Sequence, residues 1–222
     1  MKDTDRDKQM AAEAAVAEVR DGMLVGIGTG STVAFAIAAL IARGARIETV
    51  ATSEDSAAKA RAGGLVVRDF AAVARVDLTI DGADEIDARF VAIKGAGGAL
   101  LREKIVAAAS TRMIVIADGS KQVAAVGVAK LPVAVLPFAR GFVAARLEAL
   151  GARVTPRTGL TDNGNVILDA HFGGIADPHG LAGAIQAIPG ALGHGLFLEE
   201  VDAAYIARDG VVTRLERDGS RG

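Results

Sequence analysis

The chain has 222 residues, of which 51% are hydrophobic and 4% aromatic, and 27 are glycine. This length is ample for a hydrophobic core, and the apolar content is too high for a disordered glycine-rich linker. The 25 basic and 27 acidic residues leave a net charge of −2, and no basic face favours a nucleic acid partner.

The chain contains no cysteine, which excludes disulfides, thiolate metal sites and cysteine nucleophiles and agrees with a reducing compartment. The first ten residues, MKDTDRDKQM, are charged and unlike a signal peptide. No apolar run reaches the ~18 residues that a membrane span requires. We therefore expect a cytoplasmic α/β protein without a membrane partner.

Helices and strands are predicted to alternate through the first 120 residues. An alanine-rich segment with helical spacing, Lys8–Arg20, should end at Asp21 and Gly22, and Ser31 or Thr32 should cap the second helix. The further helices are expected near 31–42, 55–62 and 99–109, and the strands near 23–27, 47–51, 65–67, 76–80, 90–93 and 113–117. This alternation predicts a mostly parallel sheet that is covered on both faces.

The pattern changes at Pro132–Pro137, where LPVAVLP alternates between prolines as in an edge strand or a domain entry. Helices are then expected near 139–150 and 181–188, and strands near 153–155, 166–169, 196–198 and 203–206. This order fits a split β-α-β-β-α-β module.

The first candidate site is the segment GIGTGST, residues 26–32, between a predicted strand and a helix. Backbone N–H groups at a helix start, together with hydroxyls, favour an anion and above all a phosphate. An ordinary glycine-rich turn is the alternative. A dinucleotide site is disfavoured because Ser31 replaces the third fingerprint glycine, and a Walker A loop is excluded because no Gly-Lys-Ser/Thr follows.

Two more candidates follow strands farther along the chain. Asp81 and Asp84 flank a glycine turn in DGADE, where they could bind sugar hydroxyls, move protons or hold a metal; an acidic surface loop is the alternative.

Lys94 ends a strand before a run of glycines. Glu103 follows, more than one turn into the next helix, where apolar neighbours would raise its pKa and make it a stronger base; a surface ion pair is the alternative.

A fourth polar turn, Asp118-Gly119-Ser120-Lys121, places Lys121 where it could close over an anion. The three histidines, His171, His179 and His194, are weaker catalytic candidates because two of them lie in turns. Four polar turns after four strands thus supply a phosphate cradle, carboxylates and lysines. This set suits proton transfer next to a carbonyl in a small phosphorylated sugar, with donors that hold an enediolate oxygen.

Several motifs resemble those of type A ribose-5-phosphate isomerase in order and spacing. They are GIGTGST, Thr52-Ser53, DGADEID, KGAGGALLREKIVA, the D-x-S-K turn, LPVAVLPFA, TDNGNVILD and AIPG followed by GLF, and they extend from about Lys8 to Phe197. The resemblance implies a cofactor-free and metal-free interconversion of ribose 5-phosphate and ribulose 5-phosphate in the pentose phosphate pathway.

The resemblance also implies individual roles. Glu103 would be the general base that moves a proton between C2 and C1, and Asp81 would assist ring opening. Asp84 would bind hydroxyls, and Lys94 would stabilise the enediolate. The substrate-binding residues that it implies are Thr29, Gly30, Ser31, Thr32, Gly82, Ala83, Gly95, Ala96, Gly97, Lys121 and Lys8.

The fold that the resemblance implies is a Rossmann-like domain with a smaller α+β ferredoxin-like domain. Residues 1–130 and 206–222 would form the first, and residues 131–205 the second, which would serve dimerisation or act as a lid. The expected partners are a sugar phosphate and a second copy of the chain, in a homodimer or a tetramer. Ala96, Gly119 and Ala134 depart from the family pattern.

Two rival functions are less favoured. A coenzyme A transferase, in which a glutamate is the nucleophile, should have a larger chain with a coenzyme A pocket. A phosphosugar sensor should carry a DNA-binding module, and a binder would have no use for a desolvated Glu103. We therefore predict an aldose–ketose isomerase.

Overall fold

A computed structural model describes residues 3–219 of the chain. The helices are α1 (Asp3–Val16), α2 (Ser31–Arg43), α3 (Glu54–Ala62), α4 (Leu100–Ala108), α5 (Arg140–Ala149) and α6 (Pro178–Gln186). The strands are β1 (Leu24–Ile27), β2 (Glu48–Ala51), β3 (Val66–Val67), β4 (Leu78–Gly82), β5 (Glu85–Ile86), β6 (Ala92–Ile93), β7 (Met113–Asp118), β8 (Leu131–Val135), β9 (Arg153–Pro156), β10 (Val166–His171), β11 (Ala191–His194), β12 (Leu196–Phe197), β13 (Ala203–Arg208) and β14 (Val211–Glu216). Within the described residues, no helix is long and apolar enough to cross a membrane.

The central sheet has seven strands in the order β14-β13-β7-β4-β1-β2-β3. Every neighbouring pair is parallel except β13 with β14. Without the edge strand β14, this is the strand order of a doubly wound dinucleotide-binding fold, in which the chain direction across the sheet reverses between β1 and β4. The prediction of a mostly parallel α/β sheet is confirmed.

Both faces of the central sheet are buried. Val25 and Ile27 of β1 pack in one cluster with α1 and α2, whereas Leu24 packs with Val106 of α4 on the other face. This alternation follows from the two-residue period of a strand. Hydrophobic residues therefore fill both sides of the sheet, and polar groups gather where the strands end.

A second sheet has the order β11-β8-β10-β9 and is antiparallel throughout. Helices α5 and α6 connect its strands and bury apolar residues such as Val143 and Ile185 against it. The element order β8-α5-β9-β10-α6-β11 is the predicted split β-α-β-β-α-β module. Helix α4 contacts β4 of the central sheet and also β8 and β11, so it lies between the two sheets.

The last strands of this module were assigned wrongly from the sequence. Its fourth strand is β11, whereas β12 pairs with β6 in a separate three-stranded sheet, and β13 pairs with β7 in the central sheet. The three segments are similar short runs rich in apolar residues, so the sequence does not show which sheet each one joins. Hydrogen bonds to strands far away in the chain decide this. The division into domains stays a prediction: β13 lies across its second boundary, and residues 1–2 and 220–222 lie outside the described residues.

The first helix begins and ends earlier than predicted. It ends at Val16, because the chain then turns through bonds from Glu18 N to Ala15 O and from Val19 N to Val16 O. This turn places Glu18 Oε2 3.0 Å from Arg112 Nε, and it buries Val19 completely. A tertiary ion pair and core packing thus override the helical spacing of residues 17–20.

Candidate active site

A cavity of about 320 Å³ opens at the carboxyl ends of β1 and β4, where the strand order reverses. The residues that line it are Lys8, Thr29, Gly30, Ser31, Thr32, Gly82, Ala83, Asp84, Lys94, Gly95, Ala96, Gly97, Glu103 and Lys121. Asp81 lies behind this lining, fully buried and in contact with Lys94. The structure therefore brings every site residue predicted from the sequence into one place.

Three buried charged residues, which we call the floor, form the deepest part of this site: Asp81, Lys94 and Glu103. Lys94 Nζ lies 2.8 Å from Asp81 Oδ2 and 3.7 Å from Glu103 Oε2, and it donates a hydrogen bond to the carbonyl oxygen of Gly82. The three side chains are 0 to 3% exposed. One ammonium thus serves two carboxylates, and within the described residues Glu103 Oε2 accepts no hydrogen bond.

Glycine makes the approach of Asp81 possible. Asp81 Oδ1 accepts hydrogen bonds from the backbone N–H groups of Gly82, at 2.7 Å, and Thr29, at 3.2 Å. A Cβ atom on Gly28 would lie 1.9 Å from the same oxygen. Only glycine at this position therefore allows the end of β1 to contact the carboxylate at the end of β4.

The backbone of Lys94 is held by the segment that precedes β12. Its backbone N–H donates to Gly195 O at 2.9 Å. A Cβ on Gly195 would lie 2.2 Å from the carbonyl oxygen of Lys94, so another glycine permits this close backbone contact. Gly195 was not singled out from the sequence, although its Gly-His-Gly setting marks a turn.

Glu103 lies in the first turn of α4, not deeper in the helix as the sequence suggested. Burial raises the pKa of Glu103 to about 8; the Lys94 ammonium opposes this shift, and the carboxylates of Asp81 and Asp84 add to it. A carboxyl group with such a pKa exchanges a carbon-bound proton near neutral pH far better than an ordinary glutamate. The predicted desolvation of Glu103 is present.

The floor is electrostatically coupled. Burial by itself lowers the pKa of Lys94, but attraction to Asp81 and Glu103 outweighs it and leaves that pKa raised. Burial also raises the pKa of Asp81, against the pull of Lys94. A proton on Glu103 leaves Lys94 and Asp81 as a neutral pair, which is the arrangement that costs least in a buried site.

The more exposed part of the cavity lining, which we call the rim, comprises Lys8, Ser31, Thr32 and Lys121. Lys8 Nζ donates to Ser31 Oγ at 3.2 Å, and Lys121 follows β7 in a short 3-10 turn. The side chains of the rim are half-buried or exposed. Two ammonium groups and two hydroxyls therefore surround the start of α2.

The predicted cap of α2 by Ser31 or Thr32 is wrong. Gly30 is the N-cap residue, with φ 114°, and no side chain caps the helix, because Ser31 and Thr32 already belong to its first turn. Within the described residues, the N–H groups of residues 31–33 have no hydrogen-bond acceptor. A helix start with unpaired N–H groups and two nearby lysines binds an anion readily.

Asp84 connects the acidic turn to the glycine turn. Its side chain accepts from Ala96 N at 2.9 Å, and its own N–H donates to Ile93 O at 2.8 Å. These bonds fix the carboxylate of Asp84 in the lining of the cavity, in a part that we call the wall. Thr29 completes this wall, with its hydroxyl 2.8 Å from that of the buried Thr52.

The three histidines do not line the cavity. His179 Nε2 contacts Glu199 Oε1 at the surface at 3.1 Å. Burial lowers the pKa of His194 to about 4, so this ring is neutral. Within residues 3–219, no group of three or more histidine and carboxylate side chains is arranged to hold a metal ion.

The three departures from the family pattern fit their surroundings. Ala96 has a negative φ, so glycine is not required there. A Cβ on Gly119 would lie 2.4 Å from Arg208 Nε, so Arg208 occupies the space of a side chain at that position. Ala134 is buried in β8 beside Leu100 and Ile167, where a carboxylate would be costly.

One feature near the cavity was not identified from the sequence. Arg157, just after β9, reaches the glycine turn and donates to the carbonyl oxygens of Gly95 and Ala96. Its other nitrogens bind Asp169 in β10. The available signal was Asp169 itself, since a carboxylate inside the apolar run VILDA requires a buried partner.

Comparison with known proteins identifies the family of this chain. The family "Ribose 5-phosphate isomerase A (phosphoriboisomerase A)" matches residues 48–210. The chain belongs to this family. Its members interconvert ribose 5-phosphate and ribulose 5-phosphate in the pentose phosphate pathway, and the match confirms the resemblance found in the sequence motifs.

Individual relatives match over nearly the full chain. Ribose-5-phosphate isomerase A of Sphingopyxis alaskensis is 57% identical over 93% of this chain and 94% of the relative. The crystal structure of the Neisseria gonorrhoeae enzyme superimposes with a TM-score of 0.94, at 36% identity, over 97% of this chain and 98% of that chain. A D-ribose-5-phosphate isomerase solved in complex with phospho-erythronic acid gives a TM-score of 0.93 at 32% identity, over 96% and 99% of the two chains.

Proposed function

We propose that this protein interconverts ribose 5-phosphate and ribulose 5-phosphate by proton transfer through an enediolate, with Glu103 as the base. The observation that carries the proposal is the floor: a buried carboxylate with a pKa near 8, 3.7 Å from a buried ammonium. Proton abstraction next to a carbonyl requires a base of this kind beside a cation that receives the developing charge.

Substrate binding begins at the rim. The phosphate accepts hydrogen bonds from the unpaired N–H groups at the start of α2 and from the hydroxyls of Ser31 and Thr32, while Lys8 and Lys121 neutralise its charge. Backbone N–H groups favour an anion over a neutral group at the same place. With the phosphate fixed there, the carbonyl end of the open-chain sugar extends toward the floor.

The reaction moves one proton between two carbons. The ionised Glu103 takes the proton from C2, the C2–H electron pair forms the C1–C2 double bond, and the charge moves to O1, where Lys94 stabilises it. Glu103 then returns the proton to C1 while O2 becomes the carbonyl oxygen, after a proton has passed from O2 to O1. The atoms balance without an external oxidant or reductant.

Asp81 and Asp84 serve the oxygens. We assign to Asp81 the proton movements on the sugar oxygens, including those of ring opening, because it contacts Lys94 and lies directly behind the lining of the cavity. Asp84 accepts hydrogen bonds from substrate hydroxyls at the wall. Five of the residues that line the cavity have small side chains or none and leave room for a narrow open-chain sugar: Gly82, Ala83, Gly95, Ala96 and Gly97.

The decisive test uses ribose 5-phosphate labelled with deuterium at C2, with EDTA present. We expect ketose to form and part of the label to be lost to solvent, because a carboxylic acid exchanges its proton with water. Complete retention of the label would point to a hydride shift and contradict the enediolate mechanism. Absence of any ketose would contradict the proposed activity itself. Phospho-erythronic acid should inhibit competitively.

We also propose a homodimer. Four exposed apolar side chains lie on the edge strand β11 or on the segment that follows its neighbour β8: Leu136, Phe138, Phe142 and Leu192, with Phe138 98% exposed. An apolar patch beside an open sheet edge favours association with another protein surface. Sedimentation equilibrium should give twice the chain mass, and Phe138→Glu should give a monomer; a wild-type monomer at micromolar concentration would overturn this assignment.

A cytoplasmic location is proposed on chemical grounds. A charged sugar phosphate does not cross a bilayer unaided, so the enzyme must share the compartment in which its substrate is made. The absence of cysteine agrees with a reducing environment. Cell fractionation with antibody detection would test this location, and recovery in a secreted fraction would contradict it.

A further inference from the structure

We propose that Arg157 is a positioning residue of the isomerase reaction: from the small sheet, it holds the two peptide units of the glycine turn whose N–H groups serve Asp84 and the substrate. This inference rests on the proposed function. It concerns a residue outside the lining of the 320 Å³ cavity.

The arginine is fixed at its far end. Arg157 Nη2 and Nε bind the two oxygens of Asp169 at 2.6 and 2.9 Å, which is the bidentate geometry that a planar guanidinium permits. Asp169 is 4% exposed and the Arg157 side chain 20% exposed. Because Asp169 belongs to β10, next to β9 in the sheet, the guanidinium has a rigid base.

The remaining nitrogen of the fork reaches the catalytic side. Arg157 Nη1 donates to Gly95 O at 3.0 Å and to Ala96 O at 2.9 Å, more than sixty residues earlier in the chain. These are the carbonyls of two consecutive peptide units. Gly95 O also accepts from Gly98 N at 3.0 Å. Arg157 is the partner that the two carbonyls share, and a lysine, with a point charge, would not match this geometry.

Peptide planarity carries this orientation to the other side. The described residues contain no cis peptide bond, so each N–H points away from the carbonyl of its own peptide unit. The N–H of Ala96, opposite Gly95 O, donates to Asp84 Oδ2 at 2.9 Å. The N–H of Gly97, opposite Ala96 O, has no acceptor within the described residues, and Gly97 lines the cavity.

Arg157 therefore acts twice through the backbone. It keeps the Ala96 N–H on Asp84, which fixes that carboxylate at the wall, and it directs the Gly97 N–H toward substrate oxygen. A charge-assisted bond to a carbonyl also strengthens the donor at the opposite end of the same amide. A misaligned glycine turn should lower the rate of the chemical step more than it weakens binding of the phosphate, which occurs at the rim.

The test compares Arg157→Gln with Lys130→Ala. Lys130 also contacts Asp169, at 2.7 Å, but it does not reach the glycine turn, so it is a matched control. We expect Arg157→Gln to lower kcat by about 10- to 100-fold, as small misplacements of catalytic groups do. KM should change by less than about 3-fold, and Lys130→Ala should stay within about 2-fold of wild type in both constants.

Chemical rescue separates positioning from folding. Millimolar guanidinium should restore part of kcat to Arg157→Ala, and Arg157→Lys should remain impaired although it keeps the charge. If Arg157→Gln unfolds, the same comparison is made with Asp169→Asn, which should lower kcat in the same way. Wild-type kcat in folded Arg157→Gln, or a loss confined to thermal stability, would overturn the proposal, and so would failure of rescue. An inactive wild type would instead contradict the proposed function.

Discussion

The floor and the rim of the cavity use similar charged groups in opposite surroundings. On the floor, Lys94 and two carboxylates are almost completely buried, and their charged groups contact one another. On the rim, Lys8 and Lys121 are partly exposed to water. Burial amplifies the interactions of the floor and screens them from salt, whereas water weakens those of the rim.

This difference in burial suits the floor to the chemical step and the rim to binding of the phosphate. A desolvated carboxylate is a stronger base and removes a carbon-bound proton at neutral pH more readily than a solvated one, and the floor supplies that environment. A phosphate needs to enter and leave in each turnover, and partly exposed cations and backbone donors hold it with moderate strength. Substitutions on the floor should therefore act on kcat, and substitutions on the rim should act on KM.

Glu103→Gln should lower kcat more than any other substitution proposed for this site. Removing the base should lower kcat by about 10²- to 10⁴-fold, with little change in KM. The control is Glu85→Gln: Glu85 is also buried, but it accepts from the N–H groups of Gly127 and Ala129 at 2.6 Å and does not line the cavity. Steady-state kinetics measure both variants. Undiminished turnover in Glu103→Gln would contradict the assignment of the base.

Lys94→Met should have the next largest effect. It removes the cation that stabilises the enediolate, for which a loss of about 10²- to 10³-fold in kcat is expected. It also leaves Asp81 buried without its partner, which should lower the free energy of unfolding by about 3–5 kcal/mol. Lys104→Met is the matched control, because Lys104 contacts the same Phe197 ring but pairs with Glu200. Equal kinetic losses in the two variants would remove the special role of Lys94.

The rate of the reaction should depend on pH through the buried carboxyl group of Glu103. Because burial raises the pKa of Glu103 to about 8, kcat/KM of the free enzyme should rise about tenfold per pH unit below that value and level off above it. A profile that is flat between about pH 6 and 9 would show that Glu103 is ionised throughout this range, contrary to its burial.

The raised pKa of Glu103 also makes the free energy of unfolding depend on pH. This free energy should fall with rising pH, whereas kcat/KM should increase. The unfolded chain releases the Glu103 proton near the ordinary glutamate pKa of 4.5, whereas the folded protein holds it to about 8. The contribution of this group to the free energy of unfolding is therefore full below 4.5 and is lost as pH rises to about 8. Urea unfolding across this window should show the decline in wild type and a smaller one in Glu103→Gln.

Substitutions on the rim should change the kinetic constants least. Lys121→Ala should raise KM by about tenfold while kcat changes by less than about twofold, because a charged contact with phosphate is lost far from the reacting carbons. Lys59→Ala, which removes an exposed lysine paired with Asp55, is the control. A large fall in kcat for Lys121→Ala would show that floor and rim are not separate.

Much of the site could be predicted because it consists of strand ends. In a parallel sheet the carboxyl ends of neighbouring strands lie at one edge, so the polar residues that follow β1, β4 and β7 must meet there. This position identifies Asp81. Lys94 and Glu103 were identified by their motif, because Lys94 follows β6 of the separate three-stranded sheet and Glu103 lies in α4. The cap of α2 was not, because residues 29–32 belong to a turn whose first helical residue depends on the φ of Gly30.

The parallel α/β architecture, the polar turns and the residue types available for chemistry could be predicted from the amino-acid sequence, since they depend on local periodicity and composition. The folded chain was needed to show which apolar segment joins which sheet, how close Lys94 lies to its two carboxylates, and that Arg157 reaches the glycine turn. These features depend on contacts between residues far apart in the chain. Their energies arise from burial and pairing, which no local pattern contains.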